Sequence, residues 1–498
     1  MADKSIIVIG AGLAGLSAGC YARMNGYKTR IFELHHLPGG LCTAWKRKGY
    51  TFDGCIEWLV GSRSGIIHRI YEELGAVQGR QMVHHDVYVR IEGTGGKTLI
   101  VYNDVDRLER HMKELAPADA GVIEELCNAA RVLAGREMPA GKPMELMGLI
   151  DKLKATKALP VLKAMQKYGR VSIQQYAARF TEPFLREVFP EVMGNLPDMS
   201  MSGLMMALAY GHGRNAGYPV GGSLEFSKAI EQRYLGLGGE IRYKARVEKV
   251  LVENNSAVGV RLADGTEHRA DVIISAADGR TTIFGMLDGR YVDDSIRHYY
   301  DEWPLYEGFL QVSLGVARDF SNEPHSLVFH TDDPIRVGDR SCNWVKMRHY
   351  CSDPTMAPEG RSVVTVCFAF GNPAHWKELH ADQEKYKAEK QALAEAVIDR
   401  LDKRFPGTKE KVEVVDVATP VTFERYTGNW KGSHMGWRNT PRTEGTWMKR
   451  TLPGLESFYM AGQWVFMGGG VPGAILSGRH AMQVICGNDG RKFQASTP

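Results

Sequence analysis

The stretch Ser5–Glu33, SIIVIGAGLAGLSAGCYARMNGYKTRIFE, constrains the fold more than any other part of the chain. Ser5–Ile9 is a short apolar run rich in β-branched residues, as in a strand buried on both faces of a parallel sheet. It runs into Gly10-Ala11-Gly12-Leu13-Ala14-Gly15, the pattern G-x-G-x-x-G. Small and apolar residues then recur at helical spacing from Leu13 to Asn25, and Gly26 stops the helix. Thr29–Phe32 reads as a second strand, ended by Glu33, 18 residues beyond Gly15.

Each residue type answers a physical demand. A pyrophosphate can approach only bare backbone, so Gly10 and Gly12 make a tight turn without side chains, and Gly15 lets the helix lie close on the strand. The helix N-terminus offers free N–H groups and the positive end of its dipole. Glu33 can accept both hydroxyls of a ribose and repels a 2′-phosphate. Strand, glycines, helix, strand and acid fall in order, so the unit predicts a bound adenine dinucleotide.

The chain has 498 residues, enough for a large core and, by length, roughly two to four domains. Apolar residues make up 44% and charged ones 24%, as in a soluble globular protein, and the formal net charge is only +4. That balance and the lack of a recognition motif predict no nucleic-acid partner. The eight cysteines form no C-x-x-C pair, and several sit in apolar runs, which predicts free thiols in a reducing, cytoplasmic setting. Only Met1–Lys4 precede the first strand, so no signal peptide is expected. His35-His36 and His84-His85 lack partners at metal spacing and read as surface or satisfied histidines; no metal is expected. No feature specifies an oligomeric state.

Along the chain, Pro38-Gly39-Gly40 makes a second phosphate-side turn soon after the acid. Gln81–Glu92 and Lys97–Tyr102 read as a hairpin across Gly93–Gly96. Asp106–Leu115 and Ala118–Leu133 are helical, and the region Ser62 to Arg214 reads as a substrate region with a mostly helical cap. Gly221-Gly222 opens a helix to about Leu235. Strands follow at Glu240–Tyr243, Arg246–Glu253, Ala257–Leu262 and His268–Ser275, with Asp264-Gly265 at a hairpin. Val247 falls on a strand edge that would pack on the adenine. From about Met286 the chain leaves again, through strands at Gly308–Val316, Ser362–Phe370 and Lys411–Thr419 and a charged helix over Asp382–Phe405. The expected fold is α/β: a discontinuous Rossmann-like dinucleotide domain (1–61, 215–285 and 441–498) with an inserted α+β substrate domain (62–214 and 286–440). Within the insert, 106–214 is the helical cap.

Ser457–Gly478 holds 22 residues without a charge, yet it also contains six glycines and a proline, which poorly suits a lipid-exposed helix. Ser457–Met460 reads as a buried strand, and Gly468-Gly469-Gly470-Val471-Pro472-Gly473 as the lead into a helix over Ala474–Ile485. The positive end of that helix would favour negative charge on a bound ring.

These residues resemble the phytoene desaturase, carotenoid isomerase and retinol saturase group of flavoproteins, within the wider amine-oxidase-like fold. Four blocks carry the resemblance: Gly10–Gly40; Tyr218–Gly222 with Val247 and Ser275–Asp278; Ala418–Gly428; and Leu452–His480. The third is similar to the isomerase and saturase branch. The resemblance implies non-covalent FAD. Gly10, Ala11, Gly12, Leu13, Ala14 and Gly15 would hold the pyrophosphate, and Glu33 with Leu34 the ribose. Gly39 and Gly40 would line the path to the flavin, Val247 would pack on the adenine, and Gly462, Gln463, Gly470, Val471 and Pro472 would hold the ring end. Two departures stand out: Gln463 replaces an acid, and Asp53-Gly54-Cys55 replaces Asp-x-Gly.

The implied activity is oxidoreduction at a carbon–carbon bond of an apolar isoprenoid or polyene lipid, with desaturation leading and polyene saturation or cis–trans isomerisation as alternatives. An amine oxidase is disfavoured because its aromatic cage is not recognisable. A flavin-free binding protein like the Rab GDP-dissociation inhibitors is disfavoured by the intact glycines at both ends. Glu57 is a candidate acid or base near the ring, against an ordinary ion-paired acid. Arg170 falls where the family places a polar group. Met199, Met201, Met205 and Met206 would line an apolar channel or simply fill the core. Lys142–Arg170 carries seven basic residues against Glu145 and Asp151. With Leu146, Ile150, Leu153, Leu159, Leu162 and Met165 it reads either as a basic amphipathic helix on a membrane surface or as a solvated lid.

Overall fold

The computed structural model describes residues 4–136, 141–148, 151, 159–194, 196–466 and 469–498. The Ser5–Ile9 strand is the middle of a five-stranded sheet in the order Glu240–Arg242, Lys28–Phe32, Ser5–Ile9, Val272–Ser275, Phe458–Met460. Every pairing in it is parallel. Its residues alternate between two layers, as the two-residue period of a strand requires. Ile6 and Val8 face the helices, while Ile7 and Ile9 face the small sheet of Val247–Glu253, Ser256–Leu262 and Glu267–Arg269. All four are buried, each contributing about 1.5–3 kcal/mol.

The helical layer is set by small residues. A Cβ on Gly15 would lie 1.9 Å from the Gly10 carbonyl oxygen, and one on Gly478 would lie 2.2 Å from the Ala14 carbonyl oxygen. Only glycine therefore lets Leu13–Met24 lie this close both to the turn before it and to the C-terminal helix Gly470–Asn488.

The inserted residues build a seven-stranded sheet in the order Val412–Ala418, Leu310–Val316, Ser362–Phe368, Arg340–His349, Ser326–Val337, Val87–Glu92, Thr98–Tyr102. Its one parallel pairing joins Leu327–Phe329 to Arg90–Glu92, so segments far apart in sequence complete one sheet. The charged helix Gln383–Arg404 packs Leu393, Val397 and Leu401 on it. Val89, Ile91, Leu99 and Val101 face the cap, whose helices include Val105–Leu115, Ala120–Leu133, Leu159–Gly169 and Met201–His212. Ile296, Tyr300 and Leu305, from and just beyond the helix Asp294–Glu302, share a core with Val247 and Val260 beside the parallel sheet.

Two local expectations are corrected, and one element is new. His268–Ser275 is not one strand: Glu267–Arg269 pairs in the small sheet and Val272–Ser275 in the parallel one. Asp271, between them, accepts the Ser5 N–H at 2.8 Å and leads the chain from one sheet to the other. The last helix begins at Gly470, not Ala474, because Pro472 is tolerated in a first turn where its missing N–H breaks no bond. The hairpin Ser326–Val337 with Arg340–His349 has no counterpart in the sequence reading, because its pairing is interrupted between His330 and Ile335, around Asp332-Asp333-Pro334.

Candidate functional site

Because all five strands are parallel, their C-terminal ends share one edge, where open α/β sheets bind ligands. Gly10, Glu33, Ala276 and Gly462 each stand on that edge, at or just beyond a strand end. The Gly10 N–H donates to the Phe32 carbonyl at 2.8 Å, and the Gly39 N–H donates to the Ala11 carbonyl at 2.8 Å, so the two glycine turns are tied together. Gly40 lies against Gly12, and a Cβ on Gly462 would sit 3.8 Å from the Ala14 Cβ. The N- and C-terminal glycine clusters, more than 400 residues apart in sequence, thus meet at one place.

Glu33 is 6% exposed. Its carboxylate accepts the Ala11 N–H at 2.6 Å and the His35 N–H at 2.8 Å. Burial pushes its carboxyl above the usual range, against these N–H bonds. Leu34 packs beside Gly428, which brings the Ala418–Gly428 block to the same end, and Val247 is buried next to Ala245, whose N–H donates to the Glu33 carbonyl at 2.8 Å. At the far end, Gly470 is exposed at the start of the C-terminal helix and Val471 is buried, while Met467 and Gly468 lie outside the described residues. The Gln463 Nε2 is buried without a hydrogen-bond partner. A buried carboxylate with lone pairs to spare, side-chain-free turns and an orphaned amide donor fit a dinucleotide.

Next to Gln463 and Gly469, the 434–436 loop links the cradle to a charged cluster. Gly436 packs on Gln463 and Met435 on Gly469. His434 packs at a tilt on Phe309, ring centroids 4.6 Å apart, and leaves its Nδ1 unpartnered. Burial lowers its pKa to about 4, with Glu57 opposing and Lys346 adding to the fall. Glu57 pairs with Arg348 at 2.9 Å and sits 3.8 Å from Lys346. Burial raises the Glu57 carboxyl, but Arg348 and then Lys346 outweigh it and hold it below the usual range. Glu57 is thus an ion-paired carboxylate within electrostatic reach of His434. Arg170 is exposed just past the helix Leu159–Gly169, and among the described residues no ion pair joins it to this cluster.

The structure also brings together residues that sequence reasoning missed. His85, read as a surface or satisfied histidine, is half-buried and stacks face to face on His325 at 3.6 Å in the wall of a cavity that also holds Glu57 and Arg348. The signal was weak, because Lys346 and Arg348 ride on the unrecognised hairpin. Met199, Met201 and Met205 are buried in the cap's own core, and Met206 is half-buried. Leu146 packs against Gly487 of the last helix, and Lys142 pairs with Asp151 at 2.7 Å. Ile150, Lys152, Leu153, Lys154 and Lys157 lie outside the described residues. Leu159 and Leu162 are exposed, whereas Met165 packs on the cap. All eight cysteines are free, and no metal-binding group appears among the described residues. No described helix is long and apolar enough to cross a membrane.

The chain is similar to a chloroplastic prolycopene isomerase of Daucus carota, at 26% identity over 96% of this chain and 79% of that one. It is also similar to a neurosporene-forming phytoene desaturase of Rhodobacter capsulatus, at 26% identity over 96% of this chain and 93% of the other. A solved putrescine oxidase variant shares the fold with a TM-score of 0.63 and 13% identity, covering 98% of this chain and 99% of that one. The family model for flavin-containing amine oxidoreductases matches residues 13–486, the span that runs from the first glycine turn through the last helix, and the chain belongs to that family.

Proposed function

We propose that this protein is an FAD-dependent oxidoreductase acting on a carbon–carbon bond of an apolar polyene, with desaturation as the leading direction and saturation or cis–trans isomerisation as alternatives. The observation that carries the reading is the meeting of both glycine clusters on one edge of the parallel sheet, in a chain that is similar to polyene-processing relatives over nearly its full length. Bound FAD would supply two-electron chemistry, taking up or returning a hydride.

The chain's own residues do the rest. Glu33 would accept the ribose hydroxyls, and the backbone of Gly10–Gly12 with the first turn of Leu13–Met24 would receive the pyrophosphate. Gln463, whose Nε2 is buried without a partner, would offer a donor to the bound ring, and the N-terminus of Gly470–Asn488 would favour negative charge there. Arg348 and Lys346 keep Glu57 ionised, so Glu57 orients charge beside the substrate, while His434 can hold a proton at its free Nδ1. We assign residues 1–61, 215–285 and 441–498 to cofactor binding and the remainder to substrate binding. Exposed Leu159 and Leu162, beside Lys163 and Lys167, favour docking of the cap on a membrane from which an insoluble substrate is drawn.

The purified protein should be yellow and release FAD on heating or acidification. Anaerobic mixing with candidate polyenes should bleach or restore its flavin spectrum. Bleaching by amines and by no polyene would overturn the reading.

A further inference from the structure

The block Ser275–Asp278 ends in a buried acid that neither the nucleotide cradle nor the Glu57 cluster uses. Asp278 lies three residues past the strand Val272–Ser275, beside the ligand edge of the parallel sheet, and is 2% exposed. One of its carboxylate oxygens accepts the Thr281 N–H at 2.7 Å and the other accepts the Trp430 N–H at 3.0 Å. Burial pushes its pKa up to about 6, against these bonds. The two N–H groups need an acceptor on each side of the group. An asparagine supplies one, and its NH2 would face the second N–H. The geometry therefore demands a carboxylate here, despite the cost of burying one.

What Asp278 holds is strained backbone. Within the turn Asn429 to Gly436, Lys431 and Gly432 are both left-handed, with φ of 56° and 62°. A lysine keeps that conformation only where its surroundings fix it. The turn closes on itself: the Gly432 N–H donates to the Asn429 carbonyl at 2.9 Å, the Ser433 N–H to the Trp430 carbonyl at 3.1 Å, and the Gly436 N–H to the Ser433 hydroxyl at 3.0 Å. It is also tied from outside on either side of His434. Asp278 holds the Trp430 N–H, and the Tyr306 N–H donates to the Gly436 carbonyl at 2.9 Å. His434 sits between these two ties, its Nδ1 free and its ring within electrostatic reach of Glu57 and Lys346.

We infer that Asp278 is a positioning residue: its carboxylate fixes the 429–436 turn and thereby keeps the His434 ring buried, which sets how readily His434 takes a proton. The charged and titratable groups around this tie are Arg280 and Lys431, which lie over the Trp430 ring at 5.1 and 4.9 Å, Glu307, paired with Lys431 at 3.2 Å, and Tyr300 of the helix Asp294–Glu302. Burial, and then Asp278, push the Tyr300 hydroxyl further up. When Asp278 itself takes a proton, one oxygen becomes a donor and the turn loses a tie. This role rests on the reading of His434 as the group that holds a proton beside the substrate.

The test follows the His434 ring resonance in flavin-loaded protein carrying carbon-13 at histidine Cε1, identified by its loss in His434→Gln, between about pH 4 and 8. Burial holds the His434 pKa at about 4. Asp278→Asn should raise it by about one unit or more, toward the ordinary value of about 6.5, as the turn loosens and water reaches the ring. An Asp278→Asn protein that is less stable but titrates at His434 as the parent does would make Asp278 a structural tie only and overturn the positioning role. If that variant does not fold, the parent decides. Its His434 resonance should shift in a step as the pH falls through about 6, where Asp278 takes its proton. The step should persist in Glu191→Gln, which removes the acid near Lys346 whose pKa is about 7. A parent without that step, or a step lost with Glu191, would overturn the role. Each result leaves the polyene reading to its own mixing experiment.

Discussion

The two ends of the site are built by different means. The nucleotide end is made of backbone: glycine turns tied by N–H···O bonds, with Glu33 as its ionisable contributor. The substrate end is made of side chains, with Glu57 between Arg348 and Lys346, a stacked histidine pair and an unpartnered guanidinium nitrogen. Backbone geometry tolerates little substitution and serves one ligand. A wall of side chains can be exchanged residue by residue, so specificity is expected to reside there.

The difference predicts a hierarchy of effects. Gly15→Ala should be the most damaging, because its Cβ would lie 1.9 Å from the Gly10 oxygen. A loss of about 3 kcal/mol or more is expected, with flavin content falling in parallel, read by urea unfolding and by absorbance. A variant that unfolds like the parent and stays yellow would remove the claim that this close approach is required.

In the cap, buried Glu191, near Lys346, sets a pH dependence. Its folded pKa, about 7, lies above the ordinary 4.5, so the folded state holds the proton more tightly than the unfolded one. That stability is fully present below about pH 4.5 and is lost as the pH rises through about 7. Glu191→Gln should escape the loss and gain up to about 3 kcal/mol on the parent between those limits. Parallel stability curves for the two proteins from pH 5 to 8 would show that Glu191 is not buried in this way.

Glu33→Gln keeps one acceptor for two buried N–H groups, so it should cost about 2 kcal/mol and weaken FAD retention, checked by dialysis followed by flavin fluorescence. The smallest change in stability should come from Leu159→Ser with Leu162→Ser, within about 0.5 kcal/mol because both side chains are exposed. The same double variant should sediment less with anionic liposomes. If it sediments as the parent does, this helix is a lid and not a docking face.

Along the chain, legibility followed the same division. Ser5–Ile9, the helix from Leu13, the acid Glu33 and the Asp264-Gly265 hairpin could be read because each is fixed by neighbours within a few residues. Arg348 could not, because it rides on a hairpin whose alternation is broken after His330. His85 gained its meaning from His325, 240 positions away. Leu146 looked like part of an amphipathic stripe, yet its partner is Gly487 at the other end of the chain.

The sequence by itself determined the dinucleotide unit, the family and the return of the C-terminal glycines, since backbone-made sites leave their demands in residue type and spacing. Only the tertiary structure decided what the substrate end looks like. Its charges come from Glu57 and from a hairpin nearly 300 residues later, and whether a buried charge is satisfied depends on which partners folding brings within a few ångströms.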